Sequence, residues 1–319
     1  MKKKILIIVL AVVLVVGAVA FPFVRFMVDP KDTVGTYRGR AEIGQRDNTI
    51  ETAIPQTELY NVVKNHFESP LADGKTEKKA IIIGYDGCRV DVIKLAEGGI
   101  KYMMNNGASV NYGYCGGVNY PETNTQDTST APGWCSILTG VWADEHGVTA
   151  NDITKSMEYK TLLTALVEGK TIDSSMFITK WKGHFDRKNA TYLEEMAYCE
   201  ENNLNVAFNR CDDDKASLDF TLNEISKKDC ADFLFVIYEQ TDSAGHNSGF
   251  TYNNPKYRNA FIEMDNYGLD TIKAIEARET YDTEDWLIII TSDHGGIRTN
   301  HGGASIQERM TFIVMNKEF

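Results

Sequence analysis

Short, unbroken apolar runs recur along this chain, separated by amphipathic stretches. The runs are AIIIGY (80–85), SMFIT (175–179), NVAF (205–208), FLFVIY (233–238), WLIIIT (286–291) and TFIVM (311–315). Continuous apolarity over so few residues predicts strands covered on both faces, as in a parallel sheet. Between them lie DVIKLAEGGIKYMMNN (91–106), YKTLLTALVEG (159–169), KASLDFTLNEIS (215–226) and NAFIEMDNYGLDTIKAIEARE (259–279), where apolar residues recur at helical spacing. Strands alternating with helices predict an α/β fold, a doubly wound, mostly parallel sheet flanked by helices. The pattern has no internal repeat and no low-complexity tract. It divides the chain into residues 1–27, a polar stalk or linker over 28–78, and a domain over 79–319. The stalk carries one amphipathic stretch, TELYNVVKNHF (57–67), with Leu59, Val62, Val63 and Phe67 on one face, expected to pack on the domain.

The longest apolar run is of a different kind. MKKK precedes Ile5–Val24, and twenty residues at about 1.5 Å each span a bilayer core of about 30 Å. Basic residues before the span favour a cytoplasmic N-terminus. Ala18-Val19-Ala20 also fits a signal-peptidase site, with cleavage after Ala20. Anchor and cleaved signal both remain open. Either one places the body outside the cytoplasm, membrane-attached or secreted.

Composition narrows the partners. A formal charge of −12 over 319 residues repels polyanions, so duplex nucleic acid is not an expected partner. A small phosphorylated substrate stays compatible, because a bound metal sets the local charge. The six cysteines, Cys88, Cys115, Cys135, Cys199, Cys211 and Cys230, lack CxxC spacing and are expected to be buried thiols. If any bridge exists, Cys199–Cys211 is the expected one.

Candidate chemistry lies at the ends of three of the predicted strands. Asp86 follows AIIIGY; Asp242 and His246 follow FLFVIY; Asp293, His294 and His301 follow WLIIIT. Ligands of open α/β sheets bind outside the carboxyl ends of the strands. Singly, an aspartate after a strand is a turn or cap residue and a histidine is structural. Together, three Asp and three of the chain's six His at one sheet edge point to two divalent ions, with zinc suited to such ligands. His66 and His146 are read as structural.

Between the first two ligand clusters lies TSTAPGWCSILTGVWADEHGV (128–148). Pro132 suits a first helical turn, which puts Thr130 at a helix N-terminus. Local sequence alone reads Thr130 equally well as an N-cap; a base or metal is needed to make it a nucleophile.

The ordered series GYDG, TAPGWCSILTG, ADEHGV, TDSAGH, SDHGG and NHGG resembles the alkaline phosphatase superfamily, in particular its type I phosphodiesterase/nucleotide pyrophosphatase branch. The resemblance covers Lys79 to the end. It implies one metal on Asp242, His246 and His301, another on Asp86, Asp293 and His294 with the Thr130 oxygen, and a phosphothreonine intermediate. It also implies a phosphoryl-binding asparagine three residues after the nucleophile. Gly133 stands there, so the oxyanion donor is expected from a backbone N–H or another side chain. His301 follows His294 closely, where nucleotide pyrophosphatases carry a long insertion, so substrate-capping elements are expected to be reduced or to lie elsewhere. ITKWKGHFD (178–186) falls where the family lines its pocket with aromatics. Trp181, Lys180 and Lys182 are therefore candidate substrate contacts, with a solvated basic turn as the alternative.

The implied activity is an extracytoplasmic phosphodiesterase or pyrophosphatase. A phosphomonoesterase, an envelope phosphoglycerol or phosphoethanolamine transferase, and a non-catalytic metal-stabilised ectodomain are the alternatives. A sulfatase is disfavoured, because Thr130 replaces the Cys or Ser of that motif and Trp134 its arginine.

Overall fold

The structure, a computed structural model, describes residues 53–117, 126–152 and 156–319. The predicted N-terminal helix (1–27) and most of the first half of the stalk lie outside the described residues. Among the described residues no helix is long and apolar enough to cross a membrane.

Among the described residues eight strands form one sheet: β1 (Ala53–Pro55), β2 (Glu77–Tyr85), β3 (Ser109–Tyr114), β4 (Ser175–Thr179), β5 (Val206–Arg210), β6 (Phe233–Tyr238), β7 (Glu284–Thr291) and β8 (Met310–Met315). Their order is β1-β3-β8-β7-β2-β6-β4-β5. Every pairing is parallel except the two made by β8, which runs antiparallel to β3 and β7. The fold is therefore mixed α/β with a mostly parallel sheet. β2 sits at its centre, with Ile81 opposite Leu234 of β6 and Ile288 of β7.

Alternation along these strands divides the core in two. Ala80, Ile82, Phe233, Phe235, Leu287 and Ile289 face one layer. Ile81, Ile83, Leu234, Val236, Ile288 and Ile290 face the other. Helices cover both: α1 (Glu58–Glu68), α2 (Gly99–Asn105), α3 (Thr130–Thr139), α4 (Leu162–Glu168), α5 (Leu193–Glu201), α6 (Asp214–Ser226), α7 (Gln240–Ser248) and α8 (Pro255–Glu276), besides shorter turns. Helix starts follow capping chemistry. Asn254 caps α8 by accepting from Lys256 N at 3.0 Å, with Pro255 in the first turn.

Two strands escape the apolar pattern. β3 (SVNYGY) is half polar, and β1 is a three-residue edge strand whose Pro55 is tolerated because an edge need not donate on both sides. Their pairing moves the domain boundary. The body starts at least as early as Ala53, not at Lys79, because β1 joins the sheet and Leu59, Val63 and Phe67 of α1 are buried in the core with Trp134. All six cysteines are buried free thiols, and the Cys199–Cys211 bridge is not formed.

Candidate active site

The three adjacent strands β7, β2 and β6 deliver the ligands to one edge. Asp86 follows β2 directly, and Asp86 N donates to Tyr238 O at 2.9 Å, extending the ladder with β6. The chain then turns at Gly87 with φ of 61°; a Cβ there would lie 2.7 Å from Asp242 Oδ1. Glycine is required by both the backbone and the crowding. Asp242 sits in the first turn of α7, and His246 one turn later on the same face.

Two of the three carboxylates are anchored by hydrogen bonds. Asp293 Oδ1 accepts from Gly87 N (3.2 Å) and His294 N (2.9 Å). Asp86 Oδ2 accepts from the Trp134 indole at 3.1 Å. The other oxygens face the histidines: Asp86 Oδ1 lies 3.6 Å and Asp293 Oδ2 3.5 Å from His294 Nε2. His301 Nε2 is 3.5 Å from Asp242 Oδ1, and His246 Nε2 is 3.5 Å from Asp242 Oδ2.

The imidazoles are fixed in one tautomer. His294 Nδ1 lies 2.6 Å from Gly295 O, His301 Nδ1 3.1 Å from Thr128 O, and His246 Nδ1 3.0 Å from Thr299 O. A carbonyl only accepts, so each Nδ1 carries a proton and each ring turns its Nε2 inward. His246 Nε2 and His301 Nε2 then face each other at 3.0 Å. Asp242 Oδ1, Asp293 Oδ2 and His294 Nε2 are buried with no hydrogen-bond partner. Converging lone pairs with no donor between them are what a cation satisfies, and Nδ1-to-carbonyl bonds are the usual support for a metal-binding imidazole. The residues fit a divalent metal.

Electrostatics agree. Burial, and then the neighbouring charges of Asp242 and Asp86 respectively, push Asp86 and Asp293 well above the usual carboxylate range. Burial raises Asp242 to about 7. Burial and then His301 hold His294 well below the usual imidazole value; burial and then His246 bring His301 down to about 4. Crowded carboxylates without a countercharge hold protons, and a bound dication reverses that preference.

The ligands group as Asp86, Asp293 and His294, and as Asp242, His294 and His301, with His294 reaching both. His246 approaches the second group from its exposed side. Thr130 is the first residue of α3, not its cap; Ser129 holds that position. Its Oγ1 points to Asp86 Oδ1 at 3.4 Å.

Gly133 does not supply the oxyanion donor. Its N–H is bonded to Ser129 O at 2.9 Å within the helix. Glycine is needed there for packing instead, since a Cβ would lie 2.9 Å from Asp293 Cβ. Sequence reading missed Asn151, whose Oδ1 accepts from Ala131 N at 2.7 Å, beside Thr130. Asn151 lines a cleft of about 400 Å³ with Ser129, Arg187, His246, Asn300 and His301. Arg187, just past the basic segment, lines this cleft, whereas Lys180, Trp181 and Lys182 do not. The Trp181 ring stacks edgewise on buried His184 and under the Arg187 guanidinium, 5.2 Å from its centre. Lys182 is exposed, and Lys180 is ion-paired with Asp214. His66 and His146 are buried on structural partners, Lys79 O and Ser136 Oγ, each at 3.1 Å.

A protein-family model for type I phosphodiesterase/nucleotide pyrophosphatase matches residues 80–308, a span that includes every one of these ligands. The chain belongs to that family. Several solved structures are similar to this chain at low identity. An inactive variant of murine ectonucleotide pyrophosphatase/phosphodiesterase 5, in complex with AMP, is 19% identical with a TM-score of 0.48, covering 69% of this chain and 57% of that one. The chain therefore spans little more than half the length of that relative. The C-terminal periplasmic domain of EptC from Escherichia coli, in complex with zinc, is 13% identical (TM-score 0.46; 78% and 77% covered). Alkaline phosphatase from the Antarctic bacterium TAB5 is 14% identical (TM-score 0.44; 75% and 91% covered).

Proposed function

We propose that this family member is a metal-dependent phosphodiesterase or pyrophosphatase that uses Thr130 as its nucleophile. One observation carries the reading: unpartnered Asp242 Oδ1, Asp293 Oδ2 and His294 Nε2 converge beside a threonine hydroxyl at a helix N-terminus. Asp86, Asp293 and His294 would hold one divalent ion, zinc by ligand type, and Asp242, His246 and His301 a second. Such ions polarise a phosphoryl group and neutralise the charge it develops.

The chain's own groups perform the rest. Asp86 Oδ1, 3.4 Å away, is the nearest acceptor for the Thr130 hydroxyl proton. Thr130 Oγ1 attacks phosphorus; the P–O bond to the leaving alcohol or phosphate breaks, and phosphothreonine forms. The positive end of α3 favours the anion there. Water then cleaves the Thr130–phosphorus bond, freeing the phosphorylated product and restoring the hydroxyl. Asn151, its Oδ1 held by Ala131 N, offers its amide N–H to a phosphoryl oxygen.

We further place this chemistry outside the cytoplasm, because MKKK followed by the apolar Ile5–Val24 directs export. Labelling of an added C-terminal cysteine by an impermeant maleimide on intact cells tests that side.

The activity test compares an alkyl nitrophenyl diester with a nitrophenyl monoester, using full-length protein. The diester should turn over faster, chelation should abolish the rate, and zinc should restore it. Thr130→Ala should keep its metal and lose turnover by orders of magnitude. A near-wild-type rate in that variant removes Thr130 from the mechanism.

A further inference from the structure

Next to the ligand-bearing strands, β4, β6 and the start of α6 carry a second charged cluster. Lys180 follows β4, Glu239 follows β6, and Asp214 opens α6. Lys180 Nζ lies 2.6 Å from Asp214 Oδ2 and 3.9 Å from Glu239 Oε2. The carboxylates are tied to each other and to β4: Glu239 N donates to Asp214 Oδ1 at 2.8 Å, and Thr179 Oγ1 to Glu239 Oε1 at 3.3 Å. Glu239 and Asp214 are each only 7% exposed. This cluster shares its electrostatic field with the ligand cluster, since Asp86 acts on Glu239, and Lys180 on both Asp86 and Asp242. Lys180 does not line the cleft, where Arg187 is the cation.

We infer that Lys180 is a positioning residue: its ammonium is the fixed countercharge of Glu239 and Asp214 behind the metal ligands, not a contact for substrate phosphate. The inference rests on the two-metal reading. With two dications bound, the buried carboxylates Asp86, Asp242, Asp293, Glu239 and Asp214 carry five negative charges. Two dications and one ammonium match them. Remove the ammonium and a buried carboxylate is left uncompensated, a costly change because the carboxylate cannot regain water. That strain falls on Glu239, three residues before the ligand Asp242, on the turn that presents it.

A double-mutant cycle in the full chain tests this, with Lys180→Met, Glu239→Gln and the pair. Two readouts are used, both on the zinc-loaded protein: its melting, and its kcat and KM on the diester. Lys180→Met should lower the melting temperature by about 10 °C. It should lower kcat with KM within about twofold of wild type. Adding Glu239→Gln should recover at least about half of the melting loss, because the orphaned charge is gone. A rise in KM of about tenfold with unchanged melting makes Lys180 a substrate contact and overturns the inference. Additive melting losses at 180 and 239 overturn it too. If Lys180→Met folds in neither background, Lys180→Arg decides. A preserved charge should hold melting within about 3 °C and leave KM unchanged, and a KM shift of about tenfold contradicts the inference. Absence of any phosphoester turnover in the wild type would defeat the functional reading alone, leaving the melting cycle still decisive for Lys180.

Discussion

Trp134→Phe isolates one contact that supports the metal ligands without being one. The Trp134 indole N–H donates to Asp86 Oδ2 at 3.1 Å, with both side chains at 1% exposure or less. The ring is clamped in place: a Cβ on Gly84 would lie 2.5 Å from it, and Phe235 packs edge-on at 5.4 Å. Phenylalanine removes the donor and leaves a carboxylate oxygen buried without a partner. A hydrogen bond to a charged group contributes about 1.5–3 kcal/mol. The void left by the smaller ring adds about 1 kcal/mol. A total near 3 kcal/mol lowers the melting temperature of the zinc-loaded protein, in which Asp86 is charged, by about 6–12 °C. Asp86, freed to rotate, should also lose zinc affinity by about 10–100-fold. Trp286→Phe is the control. Its indole donates to Glu284 Oε2 at 2.8 Å and is also buried, but at the opposite end of the sheet. Urea unfolding and zinc competition against a chromogenic chelator should show both variants destabilised and only Trp134→Phe impaired in zinc binding. Equal zinc affinity in the two variants would refute the reasoning.

Three further outcomes are expected. Metal-free protein should lose stability as pH rises above about 6.5, where unfolded histidines have already titrated. Asp242, raised to about 7, and Asp86 and Asp293, held well above the usual carboxylate range by burial, give up protons there that the unfolded chain lost at lower pH; zinc should abolish the decline, as read by urea melts with and without chelator. Gly133→Ala, whose Cβ would lie 2.9 Å from Asp293 Cβ, should destabilise by about 1–3 kcal/mol and weaken zinc binding, measured by the same two assays. Asn151→Ala should lower kcat by about 10²–10³-fold while leaving zinc content intact, measured by steady-state kinetics and metal analysis.

The ligand set was legible in the sequence because its signal is local. Asp86, Asp242 and Asp293 stand within four residues of the strands they follow, and neighbouring strand ends share one edge in a parallel sheet. Thr130 was legible as a helix start, though not as N1 rather than the cap, since both share one local pattern. What sequence missed depends on contacts between distant residues. The Trp134–Asp86 bond spans 48 positions and leaves no periodic trace. Asn151 reaches Ala131 across 20 positions, through a loop of ordinary polar composition. Lys180 reads as a candidate substrate contact because a basic run beside a strand end looks alike whether it faces a cleft or a buried carboxylate. β1 was missed because edge position permits a proline that a central strand excludes, and β3 because its SVNYGY stretch is half polar.

The most direct measurement is anomalous scattering at the zinc edge from crystals of the zinc-loaded protein. Two peaks are expected, one among Asp86, Asp293 and His294 and one among Asp242, His246 and His301, with Thr130 Oγ1 beside them. No peak at these side chains, or zinc bound only elsewhere on the surface, would contradict the account.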